Sequence, residues 1–345
     1  MSDVTQESPR SHNGRVDTSH HPETDPQRDD KNYYGIPPIK KAHWTWEIFV
    51  YFWIGGIGAG AHLASVVGQL LGWEDRAFFR AGRYTVLVTM VLSPLLLISD
   101  LGRPERFYNM LRILKLRSPM STGSWALFLF GNLGGIIGVY QAAEDGLLGR
   151  GFISRLVKAL IPHKLLSVLA LPLGLYVGAY TGILIATTSV PMWARNWLLM
   201  GPTFLASGIS TGLSMLSFIL HLGRWGEEKT IGALQRAERI MLFIEAGLIA
   251  ASLIKMGRWA KPLRSRKLAP LFFGGTILGG ILTPLALLLG KETRGKGLLS
   301  SALVLLGGLA FRYAMVDGGR KSADDPEAYF TFAKKENAPE PEDSI

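Results

Sequence analysis

The stretch Ser99-Asp100-Leu101-Gly102-Arg103-Pro104-Glu105-Arg106-Phe107 decides how this chain is read, because it follows directly on the apolar run from Ala81 to Ile98. A run of that length and composition reads as a helix buried in hydrocarbon. A carboxylate in its last turn is costly to desolvate unless a partner or a cavity offsets it. Arg103, three residues on, is the expected partner. Gly102 lets the backbone turn out of the helix, and Pro104 cannot continue it. The motif therefore predicts a helix end with an Asp100–Arg103 pair at a membrane boundary. A plain stop signal with a capping arginine would read the same way, so the remainder of the chain has to separate the two.

Working outward, apolar runs of about twenty residues recur along the whole chain, and 48% of its 345 residues are apolar. This is the composition of an all-α integral membrane protein. Eight spans are predicted, at residues 46–71, 82–101, 124–143, 165–190, 197–221, 240–256, 268–289 and 297–316, which puts both termini on one side. Residues 1–42 are polar and expected to be a disordered tail, and residues 317–345 an exposed one. The net charge of +10 is carried by short connections between apolar runs, which suits lipid head groups and argues against nucleic acid. Counted near span ends, Lys and Arg fall almost evenly on the two sides, with Arg312 among those on the terminus-bearing side. The bias therefore orients the chain only slightly, toward cytoplasmic termini. There is no cysteine, so the chain alone can form no disulfide, thiolate zinc site or iron–sulfur cluster.

The two halves repeat. Gly56-Ile57-Gly58-Ala59-Gly60 answers to Gly208-Ile209-Ser210-Thr211-Gly212, Arg80-Ala81-Gly82-Arg83 to Arg236-Ala237-Glu238-Arg239, and Gly102-Arg103 to Gly257-Arg258. An even number of spans per copy predicts two parallel four-helix bundles, at residues 43–190 and 191–316. Glycines four residues apart predict close helix packing rather than chemistry. The copies differ where Asp100 faces Lys255, His62 faces Ser214 and Glu47 falls near Leu199. The ionisable residues peculiar to the first copy are therefore the stronger functional candidates.

The first span starts on the side where the second ends, so His43, Trp44, Trp46 and Glu47 share a layer with Asp100 and Arg103. Carboxylates to exchange protons, hydrogen-bond donors and aromatic walls are what a quinone site needs. Glu47 alone reads equally as an interfacial charge. His62 lies about 22 Å deeper, too far for the same ligand, and with Glu245 and Asn132 is a candidate for a proton path. Taken alone, His62 reads just as well as a histidine bonded to a neighbouring carbonyl. His62 and His221 are read as the histidines within spans, at different depths, which disfavours haem.

Three motifs in order, Gly55-Gly56-Ile57-Gly58-Ala59-Gly60-Ala61, then Asp100 to Phe107, then Ser118-Pro119-Met120-Ser121-Thr122-Gly123-Ser124-Trp125, resemble the NrfD/PsrC family of polysulfide reductase membrane subunits. The resemblance implies a quinone-interacting subunit of eight helices without haem, multi-pass in a bacterial or archaeal cell membrane. It further implies menaquinone or ubiquinone as ligand, and as partners an iron–sulfur subunit with a molybdopterin or other redox catalytic subunit. On it, Asp100 and Glu47 take the proton-exchanging role, and Arg103, His43, Trp44 and Trp46 the binding role. The rival readings are a secondary transporter, from the bundled repeats, and a purely structural anchor.

Overall fold

Residue 39 and residues 44–149, 151–290 and 293–325 are described by the computed structural model, all within one compact unit, Pro37–Ile345. His43 and most of the two tails lie outside the described residues. Among the described residues the regular structure is helical, and eight helices are long and apolar enough to cross a membrane. The chain is a multi-pass membrane protein. In a bilayer every backbone polar group must be satisfied within the segment, which is why these apolar runs are helices.

The spanning helices are α1 (Trp46–Leu70), α2 (Arg76–Ser99), α3 (Pro119–Glu144), α5 (His163–Ala186), α7 (Trp197–Gly223), α8 (Glu228–Met256), a π-helical segment Pro270–Leu282 continuing into α9 (Thr283–Leu289), and α10 (Arg294–Ala323). Two short helices, α4 (Phe152–Leu160) and α6 (Pro191–Arg195), lie between spans. α1 packs on α2 and α5, and α3 also packs on α2 and α5. In the second half α7 packs on α8 and α10, and α10 packs on the π-helical segment. The halves meet where α7 lies on α1 and α5 and α10 lies on α1.

Several ends differ from expectation. α2 begins at Arg76, six residues early, because Asp75 caps it, accepting from Ala77 N at 2.9 Å and Phe78 N at 3.2 Å. The other carboxylate oxygen of Asp75 accepts from Glu227 N at 2.7 Å, so one buried side chain ties the starts of α2 and α8 together. α8 runs from Glu228 rather than Ile240, since Glu238 is buried against α7 instead of lying in a loop. α10 continues past Val316 to Ala323, with Gly318, Gly319, Ser322 and Ala323 buried. Residues 317–325, expected to be part of an exposed tail, are instead buried or half-buried; the rest of that stretch lies outside the described residues.

The glycines do pack helices. A side chain at Gly60 would overlap the Gly208 carbonyl, and one at Gly212 the backbone of Gly60 and Ala61. Such backbone-to-backbone approach is how helices associate where lipid removes the hydrophobic incentive. Gly212→Leu is expected to sharply lower the yield of monodisperse protein, because neighbouring backbone cannot yield as a side chain could. Ordinary overpacking already costs about 1–3 kcal/mol. Gly247→Leu, on an open helix face with nothing nearby, should leave yield and melting unchanged. Equal behaviour of the two variants in size-exclusion and thermal unfolding measurements would contradict this.

α1 is also held by α10. Trp53 Nε1 donates to the Leu305 carbonyl at 3.0 Å, Phe49 packs edge-on against Tyr313 at 5.1 Å, and Arg320 Nη1 donates to the Trp44 carbonyl at 3.1 Å.

Candidate functional site

At the entrance to α1 the chain arrives extended at Thr45 (φ −91°, ψ −167°), in the position of a helix cap. A threonine there normally caps its own helix. Here the side chain makes no capping bond and turns instead to two carboxylates, Asp100 Oδ1 at 2.7 Å and Glu47 Oε2. The Thr45 N–H also points at Asp100 Oδ1, at 3.5 Å. One hydroxyl carries one proton, so it can donate to only one of these groups. Glu47 and Asp100, half-buried and 53 positions apart in sequence, are thus brought into one cluster, with Thr45 as the bridge.

Arg103 does not join it. Asp100 ends α2 with helical dihedrals, after which the chain turns at Leu101 and Gly102 and leaves Arg103 extended (φ −139°) and exposed, with no ion pair to Asp100. The expected charge pair is therefore replaced by a Thr45–Asp100 hydrogen bond. Residues Pro104–Leu111 form a 3₁₀-helix on the surface. Beneath it, Leu97, Ile98, Phe107, Met110, Leu127 and Phe128 line an apolar cleft of about 110 Å³.

The two tryptophans part company. Trp44 stacks on fully buried Trp193 with centroids 5.4 Å apart and meets Phe52 edge-on at 6.3 Å. Trp46 is 59% exposed and faces outward, as a membrane-interface residue does. His43, assigned to this layer from the sequence, lies outside the described residues.

One turn below Glu47, the interior is unexpectedly polar. Tyr51 and Ser93 are buried, their side chains converge over Gly55, and among the described residues neither hydroxyl has a hydrogen-bond partner. Trp125 Nε1 is also buried and unpartnered. Next to them Thr122 bonds Tyr176 at 2.7 Å, and Tyr176 stacks on Tyr180. Buried donors normally find acceptors, which makes these hydroxyls and the indole candidates for binding a ligand's acceptor oxygens. Sequence reasoning did not single out Tyr51 and Ser93. The available signal was their spacing, four residues beyond Glu47 and seven before Asp100, which places both on the inward side.

The proposed proton-path residues are not brought together. His62 Nε2 donates to the Ser167 carbonyl at 3.0 Å, against the edge of Phe130, between α3 and α5. Asn132 is exposed and donates to its own helix, to the Phe128 carbonyl at 2.7 Å. Glu245 is buried in the other half and accepts from Ser210 at 2.5 Å. Its surroundings were missed. Arg312, read as an end charge, is 1% exposed in the interior of α10; it donates to the Ser207 hydroxyl and, at 3.3 Å, to the Gly308 and Phe204 carbonyls. Ser207 also reaches Glu245. A second buried carboxylate, Glu238, accepts from Ser214 at 2.5 Å. The second half thus has ionisable residues of its own, at positions that comparison with the first did not flag.

These features can be set beside known proteins. Residues 38–321 match the family described as Polysulphide reductase, NrfD. The chain is 29% identical over 302 residues to the C subunit of polysulfide reductase from Wolinella succinogenes, covering 80% of this chain and 94% of that subunit. It is 28% identical over 185 residues to the protein NrfD of Escherichia coli, covering 50% of this chain and 58% of that protein. With the match running through all eight spanning helices, this chain belongs to the NrfD polysulphide reductase family.

Proposed function

We propose that this chain is the quinone-exchanging membrane subunit of a multi-subunit redox complex in a bacterial or archaeal cell membrane, passing electrons between membrane quinone and an iron–sulfur partner. The observation that carries this reading is the Glu47–Thr45–Asp100 cluster standing directly above the unpartnered hydroxyls of Tyr51 and Ser93. The relative from Wolinella succinogenes is by its name one component of a reductase, which fits a subunit role.

Oxidation of a quinol, menaquinol or ubiquinol, releases two electrons and two protons, and quinone reduction is the reverse. Tyr51, Ser93 and Trp125 supply donors for the quinone oxygens. Trp44, Phe52 and Trp193 supply an apolar wall. Glu47 and Asp100 receive a proton through Thr45 and hold it at the water boundary. The electrons leave through a partner docked on the same face. That face carries Lys255, Arg258, Lys261, Arg264, Arg266 and Lys267, an acid-free run suited to an acidic protein surface. A molybdopterin or other redox catalytic subunit completes the complex. Of the three residues read as a proton path, Glu245 alone keeps that role in this proposal, with Ser210, Ser207 and Arg312 around it.

The test is a titration of the purified protein with a menaquinone analogue, read by quenching of tryptophan fluorescence. Wild type is expected to quench saturably, and Tyr51→Phe to bind roughly three- to tenfold more weakly, the loss of one hydrogen bond. Absence of saturable quenching in folded protein would leave the transporter or anchor reading in its place.

A further inference from the structure

Far from this site, at the opposite end of α2, a crevice of about 400 Å³ opens between α2 and α7. That is within the size range of small-molecule pockets. Its walls are apolar, from Ala77, Ala81, Val88, Met215 and Ile219. Its mouth is not. Arg80, Tyr84 and Trp225 stand there, the residue types found where hydrocarbon meets head groups.

Each of the mouth residues is held in place. Asp145 Oδ2 accepts from Arg80 Nε at 3.0 Å and from the Tyr84 hydroxyl at 2.8 Å. This fixes the arginine while leaving both terminal nitrogens of a side chain that is 56% exposed. Trp225 folds back over Gly223, where no side chain would fit beneath it, and the turn that aims it there passes through Arg224 in a left-handed conformation (φ 55°). Arg76 and Arg224 are exposed on the chain segments flanking the mouth, and among the described residues neither makes an ion pair. The nearby carboxylate of Asp75 is occupied by backbone N–H groups. Deeper in, Thr85 lines the crevice, is 8% exposed, and its hydroxyl has no hydrogen-bond partner among the described residues. It lies about 7.5 Å below Arg80 along the helix axis.

A cation at the head-group level, a buried unpartnered donor a few bonds beneath it, and an apolar slot below both are matched by one molecule. The phosphate, the ester carbonyl and the acyl chain of a glycerophospholipid follow in that order. We propose that the α2–α7 crevice is a phospholipid site, with the phosphate on Arg80, an ester carbonyl accepting from Thr85 and one acyl chain between Ala81, Val88, Met215 and Ile219. Basic pockets between spanning helices are a known means of head-group capture. The lipid fills the gap where α2 and α7 diverge, and so joins the two halves at the face away from the quinone site.

Native mass spectrometry of the detergent-purified protein, titrated with phosphatidylglycerol and with diacylglycerol of the same acyl composition, tests this. Wild type is expected to retain one phosphatidylglycerol and to bind diacylglycerol at least tenfold more weakly. Arg80→Gln should erase that difference, and Val88→Trp, which plugs the slot from a half-exposed position, should abolish retention of both. Phosphatidylcholine retained as well as phosphatidylglycerol would place recognition in the phosphate itself, as proposed. Equal retention of diacylglycerol, retention undisturbed by Val88→Trp, or displacement of the lipid by a menaquinone analogue would overturn it. Should Val88→Trp fail to fold, Arg80→Gln decides alone, because Arg80 is exposed and its replacement breaks only the surface ion pair with Asp145.

Discussion

Asp100→Asn is expected to lower quinol-driven electron delivery by about a hundredfold, at the low end of what loss of a proton-exchanging group costs. The substitution keeps an oxygen that can accept from Thr45 at the same place, so the entrance to α1 stays as it is. What is lost is the capacity to take up a proton. Thr45→Val, which retains both carboxylates but separates them, should cost roughly tenfold. Arg103→Gln should stay within about twofold of wild type, because Arg103 is exposed and unpaired with Asp100. The measurement is turnover of the assembled complex with a soluble menaquinol, alongside the quantity of partner subunit co-purified. Wild-type turnover in Asp100→Asn would remove the cluster from the mechanism. An Arg103→Gln defect as large as that of Asp100→Asn would reinstate the charge pair that the sequence motif predicts.

Arg312→Met should be the most destabilising single change among the buried polar residues, by about 3–5 kcal/mol, the usual consequence of stranding one member of a buried charged pair. Arg312 and Glu245 do not touch directly. The Ser207 hydroxyl lies between them, and Arg312 spends its other donors on helix carbonyls. Taking the guanidinium away leaves the buried Glu245 carboxylate with serine hydroxyls alone. Glu245→Gln should therefore restore stability to Arg312→Met, and the double variant should melt closer to wild type than Arg312→Met does. Thermal unfolding of the four proteins gives the coupling directly. Strict additivity of the two changes would show that the residues do not share a network.

Much of the fold was legible because hydrocarbon imposes a length and a composition on each helix, and a run such as Trp197–Gly223 carries both on its face. Errors gathered where a polar residue sits on the buried side of a helix. Glu238 broke an apolar window and read as loop, and Arg312 read as an end charge of the eighth span; only the serines opposite them, Ser214 and Ser207, show that they are inside. The site was half visible. Asp100 and Glu47 follow from the antiparallel course of α1 and α2. Thr45 was hidden because a threonine before a helix already has a sufficient explanation as a cap, and its release from that duty depends on a carboxylate 55 positions away. The Asp100–Arg103 pair failed for a related reason: three residues along a helix would face each other, but the helix ends at Ser99 and Arg103 leaves on a different path.

The grip of α10 on α1 has a consequence for the order of synthesis. The carbonyl that receives the Trp53 indole is made 252 residues after it, and the guanidinium that holds the Trp44 carbonyl comes 276 residues after that tryptophan. At ribosomal speeds the first of these intervals lasts roughly 13 to 50 s. Throughout it α1 waits with its indole unmatched, and until α7 emerges its glycine face is bare as well. The wall that carries Trp44 is pinned only once α10 has arrived, so a polypeptide interrupted before it is a membrane protein whose α1 entrance is unfinished.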